Sequence, residues 1–167
     1  EVSEVYEKEE SPSRKILIEE ISKTKAKSYL EYGCGCGVNC AMLKERSPKA
    51  KVTGADINKK FIEFANREYG RRGLSFMAIG ENIEEHETVF THATLMYIGK
   101  SEIKKTLESI VKLASKDVIL VEWGGEKERE KYKRYIRDYS VLLAGMGIEA
   151  ECQEFHHIRD KNWACQS

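Results

Sequence analysis

Proline is nearly absent. Pro12 and Pro48 are the only two in 167 residues, and each sits where a helix would start or stop, so no helix interior is broken by one. Long apolar runs are missing as well. No stretch approaches the ~20 residues that carry a helix across a bilayer, which excludes a membrane-spanning helix. An excess of charge is lacking too: 28 Lys and Arg balance 28 Asp and Glu, for a net charge of zero. Such a chain has no overall field for nucleic acid or an anionic membrane. Its local basic clusters (Lys44, Arg46, Lys49 and Lys51; Arg71 and Arg72) lie near expected helix ends and loops and read as solvated faces. The five cysteines are odd in number, and Cys34, Cys36 and Cys40 crowd together, unlike a secreted disulfide framework. Their C-x-C-x₃-C spacing also lacks the C-x₂-C pair of zinc sites, with no histidine following at ligand distance, so no metal is expected. A reducing, cytoplasmic setting fits them. The Glu-rich, polar opening is no secretory leader, and a chain that starts without methionine reads as a trimmed or excised segment.

What is present is an alternation of strand and helix. Ser11 and Pro12 form a helix start, and Ile16, Leu17 and Ile21 keep an apolar face to about Lys25. S-Y-L-E-Y (28–32) predicts a short strand that ends at glycines. A helix follows over 38–46, then a strand over 51–56, a helix capped by Asn58 to about Tyr69, and strands over 74–79 and 88–93. Ser101 is the expected cap of a helix with Ile103, Leu107, Ile110, Val111 and Ala114 on one stripe. D-V-I-L-V-E (117–122) reads as a strand buried on both faces. Residues 126–146 read as one long helix closed by Gly145 and Gly147, and 148–155 with 162–166 as a final hairpin. This order argues an α/β fold: a doubly wound, mostly parallel sheet with helices on both faces and one antiparallel edge strand. A single domain is expected over 1–167, with a helical lead-in (1–27), a ligand-binding half (28–125) and a C-terminal helix and strands (126–167).

The turn after the first strand is rich in glycine: L-E-Y-G-C-G-C-G-V-N-C. In doubly wound sheets ligands sit beyond the carboxyl ends of the strands. Glycine there takes positive φ cheaply and lets the backbone come close to a ligand, and the following helix offers free N–H groups. The dinucleotide spelling G-x-G-x-x-G/A fails, because Val38 or Cys40 stands at its third position. The P-loop spelling is missing too. What remains is acidic-x-G-x-G-x-G, built from Glu31, Gly33, Gly35 and Gly37.

That spelling resembles the first motif of the class I S-adenosylmethionine-dependent methyltransferases, and the likeness runs over roughly 28–122. It implies a Rossmann-like methyltransferase fold with S-adenosyl-L-methionine as cofactor. Glu31 would support the cofactor loop, and the backbone of Gly33, Cys34, Gly35 and Gly37 would meet the ligand, with Cys34 and Cys36 sulfurs as bystanders. Asp56 stands where the family places the acid that holds the ribose hydroxyls, a role suited to charge-assisted hydrogen bonds. Ile57 would lie on an adenine face, Glu81 or Asn82 at the adenine edge, and Ala93, Thr94 and Leu95 at the methionine end. V-F-T-H-A-T-L-M-Y-I resembles the family's fourth-strand stretch, with Tyr97 replacing its histidine, and Glu122 fits the end of the fifth strand. More narrowly, this stretch, Trp123 and the late His157, Arg159, Asp160 and Trp163 resemble methylases associated with pseudaminic acid biosynthesis, which implies a sugar-like or other small polar acceptor.

The sulfonium methyl is already activated, so in-line SN2 transfer needs alignment more than a strong catalytic group. A hydroxyl acceptor would still want a base. Tyr97 and His157 are the candidate catalytic residues, His156 being adjacent to His157 and unable to share its face of a strand; the alternative is that these are ordinary turn and strand residues. Trp123 and Tyr132 could wall an acceptor pocket. T-H-A-T-L-M-Y lacks the N/D-P-P-Y/F spelling of nucleic-acid amino methylases, and no Pro-Cys nucleophile occurs. The expected partner is a small-molecule acceptor, with no nucleic acid and no membrane, and the oligomeric state is open. Two other readings stand beside this one. The first is a catalytically silent cofactor- or partner-binding module. The second is an NAD-dependent oxidoreductase, against which the failed G-x-G-x-x-G argues.

Overall fold

Short strands with apolar side chains at consecutive positions bury both faces, and this sets the layering. In the computed structural model, which describes residues 12–125, 129–131 and 134–151, β1 (Ser28–Tyr32) sends Tyr29 into one apolar cluster and Leu30 into another. β2 (Lys51–Asp56) divides Val52 and Ala55 in the same way, and β4 (His86–His92) divides Phe90 and Val89. Five strands pair in the order β3-β2-β1-β4-β5, all parallel, with β3 at Leu74–Ala78 and β5 at Ala114–Val121.

The helices cover the two faces. α1 (Pro12–Lys23), α2 (Val38–Arg46) and α3 (Lys59–Tyr69) supply Leu17, Ile21, Leu43, Ile62 and Ala65 to the first cluster. On the other side α4 (Ile103–Lys112) buries Ile103, Leu107 and Ile110, and the short α5 (Tyr139–Ala144) adds Leu143. The chain turns outward from β1 through β2 to β3 and then crosses back to β4. The strand order therefore reverses between β1 and β4, the place where such sheets open a ligand crevice.

Three expectations need correction. α4 is not capped by Ser101: its cap is Glu102, without a side-chain bond, and the Gly99 carbonyl takes the N–H groups of Glu102 and Ile103 at 3.1 and 3.0 Å. A backbone turn does what a hydroxyl was expected to do. β5 is half-buried rather than buried on both faces, because it pairs only with β4 and forms an edge among the described residues. The long helix over 126–146 is replaced by a two-stranded antiparallel ribbon, β6 (Arg129–Lys131) and β7 (Arg134–Ile136), followed by α5. The cause lies at Asp138, whose side chain accepts from the N–H groups of Ser140 and Val141 at 3.0 and 3.1 Å. Such an N-cap starts a new helix, and Arg134–Ile136 just before it pair as a strand instead. The expected antiparallel edge strand falls on 148–166: residues 148–151 form no strand, and the rest lies outside the described residues.

Leu107 is 1% exposed within the α4 cluster. Leu107→Ala is expected to destabilise the protein by about 2–5 kcal/mol, read as a lower urea midpoint with an unchanged slope. Substitution of exposed Lys104 on the same helix should stay within about 0.5 kcal/mol.

Candidate active site

Between β1 and α2 the chain must turn back over the sheet edge, and it does so with three left-handed residues: Gly33, Gly35 and Gly37 have φ of 84°, 52° and 84°. A Cβ at Gly33 would sit 2.2 Å from Thr94 Cγ2, and one at Gly37 would sit 2.6 Å from the Phe76 ring. Close packing therefore fixes two of the glycines. Gly35 differs, since nothing lies within 4 Å of its Cβ position. Its face borders open space.

The turn is tied to the neighbouring strand. The N–H groups of Gly33 and Cys34 donate to the Ala55 carbonyl at 2.7 and 3.0 Å. The Gly35 N–H donates to Asp56 Oδ2 at 2.8 Å, and the Asn58 N–H donates to Oδ1 at 2.8 Å. Each carboxylate oxygen has more than one acceptor position, so Asp56 keeps capacity for further donors. Asn58 Oδ1 in turn accepts from the Lys60 N–H at 3.1 Å and starts α3, as its type predicts. α2 begins at Gly37 with no side-chain cap, which leaves the first-turn amides and the positive helix end toward the turn.

Beneath the turn lies a buried polar group. Glu31 is 1% exposed, and its carboxyl accepts from Asn39 Nδ2 at 2.6 Å and from the Cys40 thiol at 3.1 Å. Burial pushes Glu31 up to about 7, against the lowering effect of those two donors. Asn39 Nδ2 also lies 3.4 Å from His92 Nδ1 at the end of β4. Burial brings His92 down to about 4, and the charge of Arg14 adds to that. Burial likewise holds the Cys34 and Cys40 thiols well above their usual range. Both sulfurs are protonated, and that of Cys40 donates to Glu31.

At the carboxyl ends of β4 and β5 the loops lock together. Ala93 adopts φ 53°, uncommon for a residue with a Cβ, and its N–H reaches the Val121 carbonyl at 3.0 Å. The Glu122 carboxylate accepts from the N–H groups of Thr94 and Leu95, each at 3.0 Å, and burial pushes this carboxyl up. The Thr94 hydroxyl lies 3.1 Å from the Gly33 carbonyl, so the β4 loop rests directly on the glycine turn. Just past β7, buried Arg137 donates to the Leu95 carbonyl at 3.0 Å and to the Ile98 carbonyl. The Arg134 guanidinium carbon lies 5.6 Å from the Tyr97 ring centroid and 5.2 Å from that of Trp123.

The expected site residues thus gather unevenly. Gly33, Cys34, Gly35, Gly37, Asp56 and Thr94 are linked by direct bonds or packing, with Glu31 held beneath the turn by Asn39 and Cys40 and Ala93 tied to Val121 beside Thr94. Ile57 stands beside Asp56 with 81% of its surface exposed. Glu81 is engaged locally, accepting from the Ala78 N–H at 3.2 Å, and Asn82 is exposed next to it. Tyr97 is 57% exposed at the rim. His156, His157 and Tyr132 lie outside the described residues. Among the described residues no three His, Cys, Asp or Glu side chains come together to hold a metal ion, and no helix is long and apolar enough to cross a membrane. A concavity of about 440 Å³ lined by Ser22, Lys25, Tyr29, Arg46 and Ala50 opens beside the amino ends of β1 and β2. It faces the opposite edge of the sheet and holds none of the site residues.

Sequence reading missed Asn39 and Cys40 as partners of Glu31, His92 as a neighbour of Asn39, and Arg137 as the brace of the β4 loop. The usable signal was weak: a polar Asn at an inward position of α2, and an Arg flanked by apolar and aromatic residues in R-Y-I-R-D.

The family profile described as a methyltransferase domain matches residues 23–159. Two curated relatives are similar in sequence. The ribosomal RNA small subunit methyltransferase C of Hahella chejuensis is 37% identical over 59 residues, 35% of this chain and 17% of the relative. The malonyl-[acyl-carrier protein] O-methyltransferase of Acetivibrio thermocellus is 25% identical over 95 residues, 54% of this chain and 33% of the relative. The matches thus span a third or less of these relatives' lengths. Among solved structures, magnesium protoporphyrin IX methyltransferase from Synechocystis PCC 6803, with bound S-adenosylhomocysteine, aligns with a TM-score of 0.70 at 15% identity, covering 85% of this chain and 74% of that one. A plantazolicin methyltransferase in complex with S-adenosylhomocysteine aligns with a TM-score of 0.56 at 20% identity, covering 68% of this chain and 48% of that one.

Glu31 and His92 make opposing contributions to stability. Between the ordinary carboxyl value of 4.5 and about 7, folded Glu31 keeps a proton that the unfolded chain has lost, so this group lowers stability as pH rises. Between about 4 and 6.5 the unfolded chain holds a proton that folded His92 lacks, so His92 raises stability as pH rises. Glu31→Gln removes the first effect alone. Its urea midpoint should therefore climb more steeply than that of wild type between about pH 5 and 6.5, and parallel curves would take the buried proton away from Glu31.

Proposed function

We infer the activity from a firm premise: the chain belongs to the class I S-adenosylmethionine-dependent methyltransferase family. The reading supported best is transfer of a methyl group from S-adenosylmethionine to a small polar acceptor. One observation carries it, the pairing of an open left-handed Gly35 with Asp56 through a 2.8 Å bond. That pair offers a ligand a backbone surface without side chains and, beside it, a carboxylate with acceptor positions to spare.

The residues fit the cofactor. Asp56 would accept from the ribose hydroxyls, and exposed Ile57 would cover an adenine face, with Glu81 or Asn82 at the adenine edge. Gly33, Cys34, Gly35 and Gly37 would present backbone, supported from below by Glu31. Ala93, Thr94 and Leu95 would border the methionine end. When bound, S-adenosylmethionine supplies a methyl group on a sulfonium, open to in-line attack by a lone pair on the acceptor. The chain's own task is to hold both partners close, aligned and dry. A hydroxyl acceptor must also lose a proton from its oxygen, and Tyr97 at the rim or His157 would take or orient it.

A sugar-like or other small metabolite is the acceptor class that the balanced charge supports, in a cytoplasmic setting that keeps the thiols reduced. One similar relative carries ribosomal RNA in its name, but zero net charge gives this chain no general attraction for phosphate backbones.

Calorimetric titration tests the reading. S-adenosylhomocysteine and S-adenosylmethionine should bind saturably and NAD should give no response; the reverse pattern would sink the proposal. Asp56→Ala should weaken S-adenosylhomocysteine by about 10- to 100-fold, with circular dichroism unchanged. Methyl transfer to any small acceptor removes the silent-module alternative.

A further inference from the structure

Two arginines of R-Y-I-R-D reach the same loops and are used differently. The guanidinium of Arg137 is buried against the Tyr135 ring, 4.4 Å from its centroid, and its donors go to the Leu95 and Ile98 carbonyls. It is consumed by the fold. The contacts of Arg134 among the described residues are aromatic, to Tyr97 and Trp123. Among the described residues no carboxylate pairs with it and no acceptor takes its N–H groups. Its N–H donors are therefore uncommitted among the described residues, while two rings within 5.6 Å of its guanidinium carbon restrain it.

Position gives this arrangement its meaning. Tyr97 closes the turn after β4, and Trp123 follows Glu122 at the end of β5. Glu122 binds the backbone of Thr94 and Leu95, and Thr94 rests on Gly33. Arg134 thus stands on the loop cluster packed against the glycine turn, on the side away from Asp56. With the ribose at Asp56 after β2, a cofactor crossing the glycine turn brings its methionine end toward β4, and an acceptor meets it from the β4–β5 side.

We propose that Arg134, steadied by Tyr97 and Trp123, binds an anionic oxygen group of the methyl acceptor, a carboxylate or a phosphate. This rests on the methyltransferase reading above. A guanidinium makes paired, charge-assisted hydrogen bonds to either group, and a pre-positioned one loses less freedom on binding. A single such contact would let a chain with no net charge select an acidic metabolite.

The test uses protein saturated with S-adenosylhomocysteine and titrated at constant ionic strength with inorganic phosphate in one arm and acetate in the other, followed by calorimetry and tryptophan emission. At least one anion should bind saturably, and the preferred arm identifies the group. Arg134→Gln should weaken that binding by about tenfold or more, with partial recovery in Arg134→Lys, which keeps the charge but loses the paired geometry. Failure of both anions to saturate, or equal binding by Arg134→Gln, overturns the proposal. The cofactor titration is read separately. Loss of S-adenosylhomocysteine binding by wild type would sink the methyltransferase reading, while the anion arms would still judge Arg134 as an anion site.

Discussion

The hydrogen bond from the Gly35 amide to Asp56 Oδ2 joins the ends of two neighbouring strands, and the rest of the site is arranged around it. It holds a left-handed turn in place by using a side chain from β2 as the acceptor. The same carboxylate takes the Asn58 amide, and Asn58 starts α3. One aspartate thus couples the glycine turn, the end of β2 and the next helix. A turn of this kind is costly for residues with a Cβ and cheap for glycine, and packing against Thr94 and Phe76 forbids any side chain at Gly33 and Gly37. Of the three, only Gly35 is free of such neighbours, and its face borders open space.

Below the turn the protein accepts a cost. Glu31 is buried and carries two donors, the Asn39 amide and the Cys40 thiol. Those donors offset only part of the desolvation, and its carboxyl remains close to half protonated near neutrality. His92 sits in the same region and is held neutral by burial. A polar group at the base of the site therefore has its charge set by the surroundings, and a cationic portion of a ligand would shift it toward the carboxylate form.

The far side of the site is built by loops from β4, β5 and β7. Glu122 and Arg137 fix the β4 loop by binding its backbone, Thr94, Leu95 and Met96 anchor it by side chain, and only exposed Tyr97 stands clear of that packing. The aligned structures share the sheet, although one is a magnesium protoporphyrin IX methyltransferase and another a plantazolicin methyltransferase. A rigid sheet with exchangeable loops is the usual way one fold serves several chemistries. Tyr97 belongs to this exchangeable part, and its exposed ring packs with Arg134 rather than entering the core.

The sequence by itself determined the strands over 28–32 and 51–56, the helix over 38–46, the Asn58 cap and the glycine turn, because each is written in adjacent residues: apolar runs, a capping amide, glycines at alternate positions. It also placed Asp56, through a resemblance, as an acid at the end of the second strand, whereas the bond from the Gly35 amide to that acid came from the tertiary structure. Only the tertiary structure decided what surrounds Glu31, since Asn39, Cys40 and His92 arrive from α2 and β4 and share no local pattern. It likewise decided the segment before α5. A charged, apolar-tinged stretch looks helical on its own, but Arg137 finds carbonyl partners in the β4 loop and Asp138 caps a fresh helix. Hydrogen-bond partners distant in sequence overrode local propensity there, and the same long-range meeting left Arg134 beside two aromatic rings with no acceptor among the described residues.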